Sequence, residues 1–205
     1  MPRKSKDEAE KTRKRILASA LSLFVAKGYE RATFTDIAAR LKMTKGAVYW
    51  HFESKEKLLI ALVGEMLERF EQQTAALMPK SELTYEAVAE MMVQVASTVV
   101  KDPRRRAFFL LMKTQVRWGD ASMRAVREDL VTNDRFGPWH AFRLAVENDR
   151  KVGRVRADVD PETIAHISLS AWDGLVQATI DGFLRKDLAG VVRQTFDAIW
   201  ASIKR

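Results

Sequence analysis

Residues 44 to 52 read TKGAVYWHF. Lys45, Tyr49, Trp50 and His51 put an ammonium, a phenol, an indole N–H and an imidazole within one short segment, a set of donors suited to phosphate oxygens and base edges. Wound as a helix, Val48 and Phe52 lie four apart and share one side, where they can pack inward. Lys45, Tyr49 and His51 are left on or beside the opposite side, and Gly46 and Ala47 keep the leading end narrow. A slim, polar, cationic helix end can enter a DNA major groove, with leading residues at base edges and flanking ones at phosphates. Tyr49 and Trp50 could instead be half-buried core aromatics, the commoner fate of a large ring. Burying both together with Val48 and Phe52 would mean covering nearly every side of one short helix, which a small unit cannot do.

Such a helix must be held from behind, and the upstream sequence supplies the support. From Lys6 to Lys27 the residues Ile16, Leu17, Ala20, Leu21, Leu23 and Phe24 recur at three- and four-residue spacing, which predicts an amphipathic helix. Gly28 stops it, where a left-handed residue satisfies the last carbonyls. A second, short helix is predicted from an N-cap at Thr35 through DIAARL, offering Ile37 and Leu41 to the first. Lys42 and Met43 form a tight break, Thr44 caps the third helix, and Ser54 caps a long fourth one ended by Met78 and Pro79.

Further helical segments are predicted near 82–100, 103–118, 121–150, 160–185 and 187–203. Breaks fall at Asp102-Pro103, Gly119-Asp120, Gly153, Asp160-Pro161 and Asp187, and Gly137-Pro138 must end or kink the third of these segments. No strand alternation is visible. The fold class is all-α, with a small N-terminal module at 1–54 and a larger helical bundle at 55–205.

Charge separates the two parts. Of the net charge of +8, residues 1–57 contribute 14 Lys and Arg against 7 Asp and Glu, whereas residues 58–205 are nearly balanced at 21 against 20. A basic surface on one small module is the footprint of a nucleic-acid binder, because neutralised phosphates release counterions. Charge alone would also describe a solvated basic helix. The chain has no cysteine, which excludes disulfides and thiolate metal sites and suits a reducing compartment, so the expected address is cytoplasmic. No apolar stretch follows the charged N-terminus or approaches the roughly 18 residues of a membrane span, so neither export nor membrane insertion is expected. GxSxG, P-loop, GxGxxG and HExxH motifs are absent, and His51, His140 and His166 lie too far apart for a local metal pair. No enzyme activity, metal or cofactor is expected.

Ile37 to Phe52, IAARLKMTKGAVYWHF, followed by ESKEKLL, resembles the helix-turn-helix signature of the TetR family of bacterial transcriptional repressors, over roughly residues 10 to 65. The GAVYWHF form is most similar to repressors of multidrug efflux pumps. At the turn, Lys42 departs from the usual glycine or asparagine, and a left-handed lysine costs on the order of 1 kcal/mol. The resemblance implies that Lys45, with Gly46 and Ala47 beside it, lies against base edges of double-stranded operator DNA. It implies backbone contacts from Thr33, Thr35, Tyr49, Trp50, His51 and Lys55, with Thr44 also among the DNA-binding residues. An arm at Arg3, Lys4 and Lys6 either tracks the minor groove or is disordered.

The resemblance also gives the bundle two tasks. The first is homodimerisation through the last two helices, which carry the stripes Ile164, Ile167, Ala171, Leu175, Ala178 and Val192, Phe196, Ile199, Ile203. These stripes could equally be internal core, but a twofold dimer would set two recognition helices roughly 34 to 36 Å apart, one DNA turn. The second is ligand binding. Phe108, Met112, Trp118, Trp139, Phe142 and Trp172, with Gln115, Asp173 and Gln177 interspersed, have the apolar and sparsely polar make-up of an effector pocket, although most such rings fill cores. Asp173 sits in the apolar stretch ISLSAWDGLV and would suit a hydrophobic cation. The expected function is a repressor released by a hydrophobic small molecule. Arg104, Arg105, Arg106 and Arg117 keep open a sensor of anionic acyl or aromatic metabolites, and a helical adaptor without DNA binding would leave the basic module unexplained.

Overall fold

The structure, a computed structural model, describes residues 6–77, 82–99, 101–133 and 137–205. Its α-helices are α1 (Lys6–Lys27), α2 (Phe34–Leu41), α3 (Lys45–His51), α4 (Lys55–Leu77), α5 (Tyr85–Val99), α6 (Pro103–Leu110), α7 (Arg124–Asn133), α8 (Pro138–Lys151), α9 (Pro161–Ile180) and α10 (Leu188–Ile203). Among the described residues the only strand-like pairing is an isolated bridge from Val155 to Lys204. The all-α class therefore holds. Arg3 and Lys4 of the expected arm and the stop at Met78-Pro79 lie outside the described residues.

Packing divides the chain into two compact units, one of residues up to Glu65 with Ala107–Asn133, the other of Met66–Arg106 with Asp134–Arg205. The boundary read from the sequence lies at 54/55, where α4 begins; by packing, α4 up to Glu65 stays with the N-terminal helices, and residues 111–115 pack against α1.

In the first unit, α1 buries Ile16, Leu17, Ala20, Leu21 and Phe24, and α2 packs between α1 and α3 with Ile37 and Ala38 inward. Gly28 ends α1 at φ 91°, its N–H donating to Phe24 O at 2.9 Å. The N-cap of α2 is Thr33 rather than Thr35. Thr33 Oγ1 accepts from Asp36 N–H at 3.2 Å while the Asp36 carboxylate accepts from Thr33 N–H at 2.8 Å, a capping box that satisfies two otherwise orphaned donors. The helix predicted to 118 changes pitch earlier. Past Leu110 it widens into one π-type turn, Leu111–Gln115, closed by Val116 N–H to Leu111 O at 3.1 Å. Such turns are rare and recur at functional positions.

The second unit packs α5 against α8 and α10, and α9 against α8 and α10. Its core holds Tyr85, Met91, Phe142, Val146, Trp172, Val176, Val192 and Phe196. The buried Tyr85, Ser168 and Asp149 side chains are matched: the Tyr85 hydroxyl lies 3.1 Å from Ser168 Oγ, and Asp149 accepts from Tyr85 N–H at 2.8 Å and Arg154 Nη1 at 2.9 Å. Burial pushes the Asp149 carboxyl up, the Tyr85 amide and Arg154 opposing it.

Candidate nucleic-acid interface

The recognition element is built on two buried anchors. Val48 is wholly buried and Phe52 is 4% exposed, so the inner side of α3 is fixed to the first unit. Thr44 caps the helix, its Oγ1 accepting from Ala47 N–H at 3.1 Å. The outer side is left to solvent: Lys45 and Gly46 are exposed, and Tyr49 and Trp50 are 47% and 74% exposed. Trp50 at that exposure cannot be a core aromatic. His51 is half-buried with its ring 4.7 Å from that of Trp50.

The exposed side chains are not randomly disposed. Tyr49 meets the edge of core Phe34 at 4.8 Å between ring centroids, which holds its ring, and Lys45 Nζ lies 5.5 Å from the Tyr49 centroid. A cation held over a ring loses less rotamer freedom on meeting an anion than a freely swinging one. Thr33 and Thr35 are both exposed at the start of α2. The Thr33 hydroxyl also donates to Asp36 at 2.8 Å, and Asp36 pairs with Lys27 at 2.7 Å. Hydrogen bonds from Lys27 and Thr33 hold the Asp36 carboxyl down at about 2.

Lys55 is placed differently from a free phosphate clamp. Its Nζ donates to the carbonyls of Tyr29 and Glu30 at 2.9 and 3.1 Å and lies 4.5 Å from the centre of the Tyr29 ring. It thereby ties the start of α4 to the segment after α1. Below it Tyr29 is 1% exposed, and burial pushes its phenol up. The sequence offered no sign of this role, since a lysine at a helix start reads the same whether its ammonium faces solvent or carbonyls.

A family model for the bacterial regulatory proteins of the tetR family matches residues 16–62, from the buried face of α1 through α3 into α4. The HTH-type transcriptional regulator SrpR of Pseudomonas putida is 29% identical, the alignment covering 100% of this chain and 91% of that protein. The HTH-type transcriptional regulator TtgR, also of Pseudomonas putida, is 28% identical over 86% of this chain and 84% of its own. Among solved structures, the SmeT–triclosan complex has a TM-score of 0.80 at 25% identity, covering 95% of this chain and 92% of that one. NalD, the secondary repressor of the MexAB-OprM multidrug efflux pump in Pseudomonas aeruginosa, shares the fold at a TM-score of 0.75 and 18% identity, covering 98% and 99%. Residues 16–62 form a DNA-binding domain of the TetR family of bacterial regulators.

Beyond this TetR-type DNA-binding domain, the expected effector residues fall in both units. Phe108, Met112, Gln115 and Trp118 belong to the first, and Trp139, Phe142, Trp172, Asp173 and Gln177 to the second. Met112 and Gln115 ride on the π-type turn beside α1, and the Trp118 indole N–H donates to Met112 O at 2.8 Å. Phe142 is wholly buried between Tyr85 and Phe196, each 5.3 Å away, and Trp172 is 3% exposed. Both are core and leave no surface for a ligand, and Phe108, also buried, has little more to offer. Trp139 is half-buried, and neither its Nε1 nor His140 Nδ1 has a hydrogen-bond partner. Gln177 donates to Asp181 at 2.9 Å, and half-buried Asp173 is already engaged within the chain.

The expected dimer stripes are split. Val192, Phe196 and Ile203 are at most 2% exposed and Ile164 is 8% exposed, so these four belong to the protomer's own core. Burial inside one chain and burial between two chains leave the same periodicity. Ile167 is 47% exposed, Ala171, Leu175 and Ala178 are half-buried, and Ile199 lines an open groove of about 510 Å³ with Val191, Gln194, Thr195, Ala198 and Ser202. Arg105, one of the arginines that kept an anionic effector open, donates to Thr98 at 2.6 Å, whereas Arg106 and Arg117 are exposed. Among the described residues no helix is long and apolar enough to cross a membrane.

Proposed function

We propose that this regulator is a homodimeric repressor that binds a palindromic operator through α3 and is released from it by a hydrophobic small molecule, with an efflux pump among the genes it controls. The observation that carries the DNA reading is the two-sidedness of α3: Val48 and Phe52 are buried while Lys45, Gly46, Tyr49 and Trp50 face solvent. Lys45, Gly46 and Ala47 take base edges. Thr33, Thr35, Thr44, Tyr49, Trp50 and His51 take the sugar-phosphate backbone, and Lys55 adds to it through the exposed amides of α4 with whatever its carbonyl bonds leave free.

Support for the efflux and ligand readings comes from relatives. SmeT is described as the repressor of the Stenotrophomonas maltophilia multidrug efflux pump SmeDEF and has been solved with triclosan. The π-type turn supplies a physical route for release, because a ligand that displaces Met112 or Gln115 displaces a surface in contact with α1. Release also needs a partner chain whose spacing can change. The second copy would dock on the exposed Ile167 side of α9 and the Ile199 groove of α10, not on Phe196.

Genomic pull-down of bound DNA, followed by binding titrations of Lys45→Ala on the recovered duplex and on scrambled sequence, tests the proposal. The recovered sites should be inverted repeats beside transporter genes. Lys45→Ala should weaken operator binding by about 1 to 3 kcal/mol and relax sequence preference. Equal losses on operator and scrambled DNA would remove Lys45 from the base edges.

A further inference from the structure

Between α2 and α3 the chain turns at Lys42, whose φ of 54° and ψ of 43° lie in the left-handed region. Among the described residues it is the one non-glycine with positive φ. The turn is well closed: Lys42 N–H donates to Ala39 O at 3.2 Å and Met43 N–H to Ala38 O at 2.9 Å, satisfying the last carbonyls of α2. A glycine would make the same turn without crowding a Cβ against the following carbonyl. The lysine therefore destabilises the turn relative to glycine. Its side chain is exposed and has no hydrogen-bond or ion-pair partner among the described residues.

Strain kept at an exposed charged residue directs attention to an outside partner. Lys42 stands two residues before the N-cap Thr44 and three before Lys45, with exposed Arg40 and Lys45 to either side. The walls of the groove that α3 would enter are rows of phosphates. We propose that Lys42 is a phosphate-binding residue that seats α3: the left-handed turn projects its ammonium onto the DNA backbone, and this contact offsets the strain of the turn. The proposal rests on the DNA reading of α3 given above and adds to it a contact and a reason for the strained turn.

The test compares wild type, Lys42→Gly, Lys42→Gln and Lys42→Arg in thermal melts and in titrations of a mixed-sequence 30-base-pair duplex from low to moderate salt. Losing one phosphate contact should flatten the slope of log binding constant against log salt by about 0.9. If the curves converge at 1 M salt, that slope change gives about an eightfold affinity loss at 0.1 M. Lys42→Gly should show this loss together with a melting temperature higher by about 2 to 4 °C, as relief of the strained turn predicts. Lys42→Gln should lose the slope without the thermal gain, and Lys42→Arg should retain the slope. Normal wild-type binding with an unchanged slope in both Lys42→Gly and Lys42→Gln would overturn the role of Lys42 alone. A wild-type protein without salt-dependent duplex binding would overturn the DNA reading of α3 and this contact with it.

Discussion

A Cβ placed on Gly46 would meet no nearer atom than Thr44 Oγ1 at 4.0 Å, and the residue sits in the first turn of α3 with an ordinary backbone. Neither packing nor conformation requires a glycine there, and glycine lowers helix stability by up to about 1 kcal/mol relative to alanine. On the proposed DNA reading, its use is to let a groove floor approach the backbone. Gly46→Ala should therefore raise the melting temperature slightly and weaken operator binding, a pairing of opposite signs that calorimetry and a binding titration would read. Unchanged operator affinity would mean that the leading end of α3 does not reach the bases. Lys55 shows the converse at the same scale. Its type suggested a phosphate contact, whereas its hydrogen bonds to the Tyr29 and Glu30 carbonyls make it a fastener of the first unit, so its removal acts on stability as well as on binding.

Among the elements, α10 has to serve two faces with one apolar pattern. Val192, Phe196 and Ile203 turn inward, while Ile199 opens onto the groove with Val191, Ala198 and Thr195. Ile199→Asp should leave the protomer folded and turn a dimer into a monomer with weakened operator affinity, as light scattering and a titration would show. Phe196→Ala should behave otherwise. Removing a ring that packs on Tyr85 and Phe142 costs about 3 to 5 kcal/mol of stability whatever the oligomeric state. A folded dimer with normal DNA binding in Ile199→Asp would remove this groove from the interface.

At the scale of the whole molecule, DNA and effector must answer to each other. If a ligand acts through the turn at 111–115 on α1, whatever factor it removes from DNA affinity, DNA removes from ligand affinity, typically about 1 to 3 kcal/mol of coupling. Tryptophan fluorescence titrations with cationic, neutral and anionic hydrophobes of matched shape, with and without operator, should show that reciprocity. They also decide the preferred charge. Asp173 is already engaged within the chain, so a cation preference that disappears in Asp173→Asn would be needed to keep it as the selecting group. Ligand binding indifferent to DNA would leave a regulator with no effector switch.

By itself the sequence determined the helices, the basic first quarter and the face of α3 that remains open. Those properties are local: helical periodicity sets Val48 and Phe52 on one side, and a three-helix support cannot bury Tyr49 and Trp50 together with them. Boundaries were less legible where capping alternatives lie two residues apart, as at Thr33 and Thr35, since either threonine can cap and only the capping box with Asp36 selects one. The tertiary structure alone decided which apolar stripe faces inward, which aromatic rings are core, and which cation is tied to carbonyls. Each of those depends on which distant segment packs alongside, as Phe142 does on Tyr85 and Lys55 on Tyr29. Apolar spacing is the same whether the covering surface comes from the same chain, a ligand or a second copy.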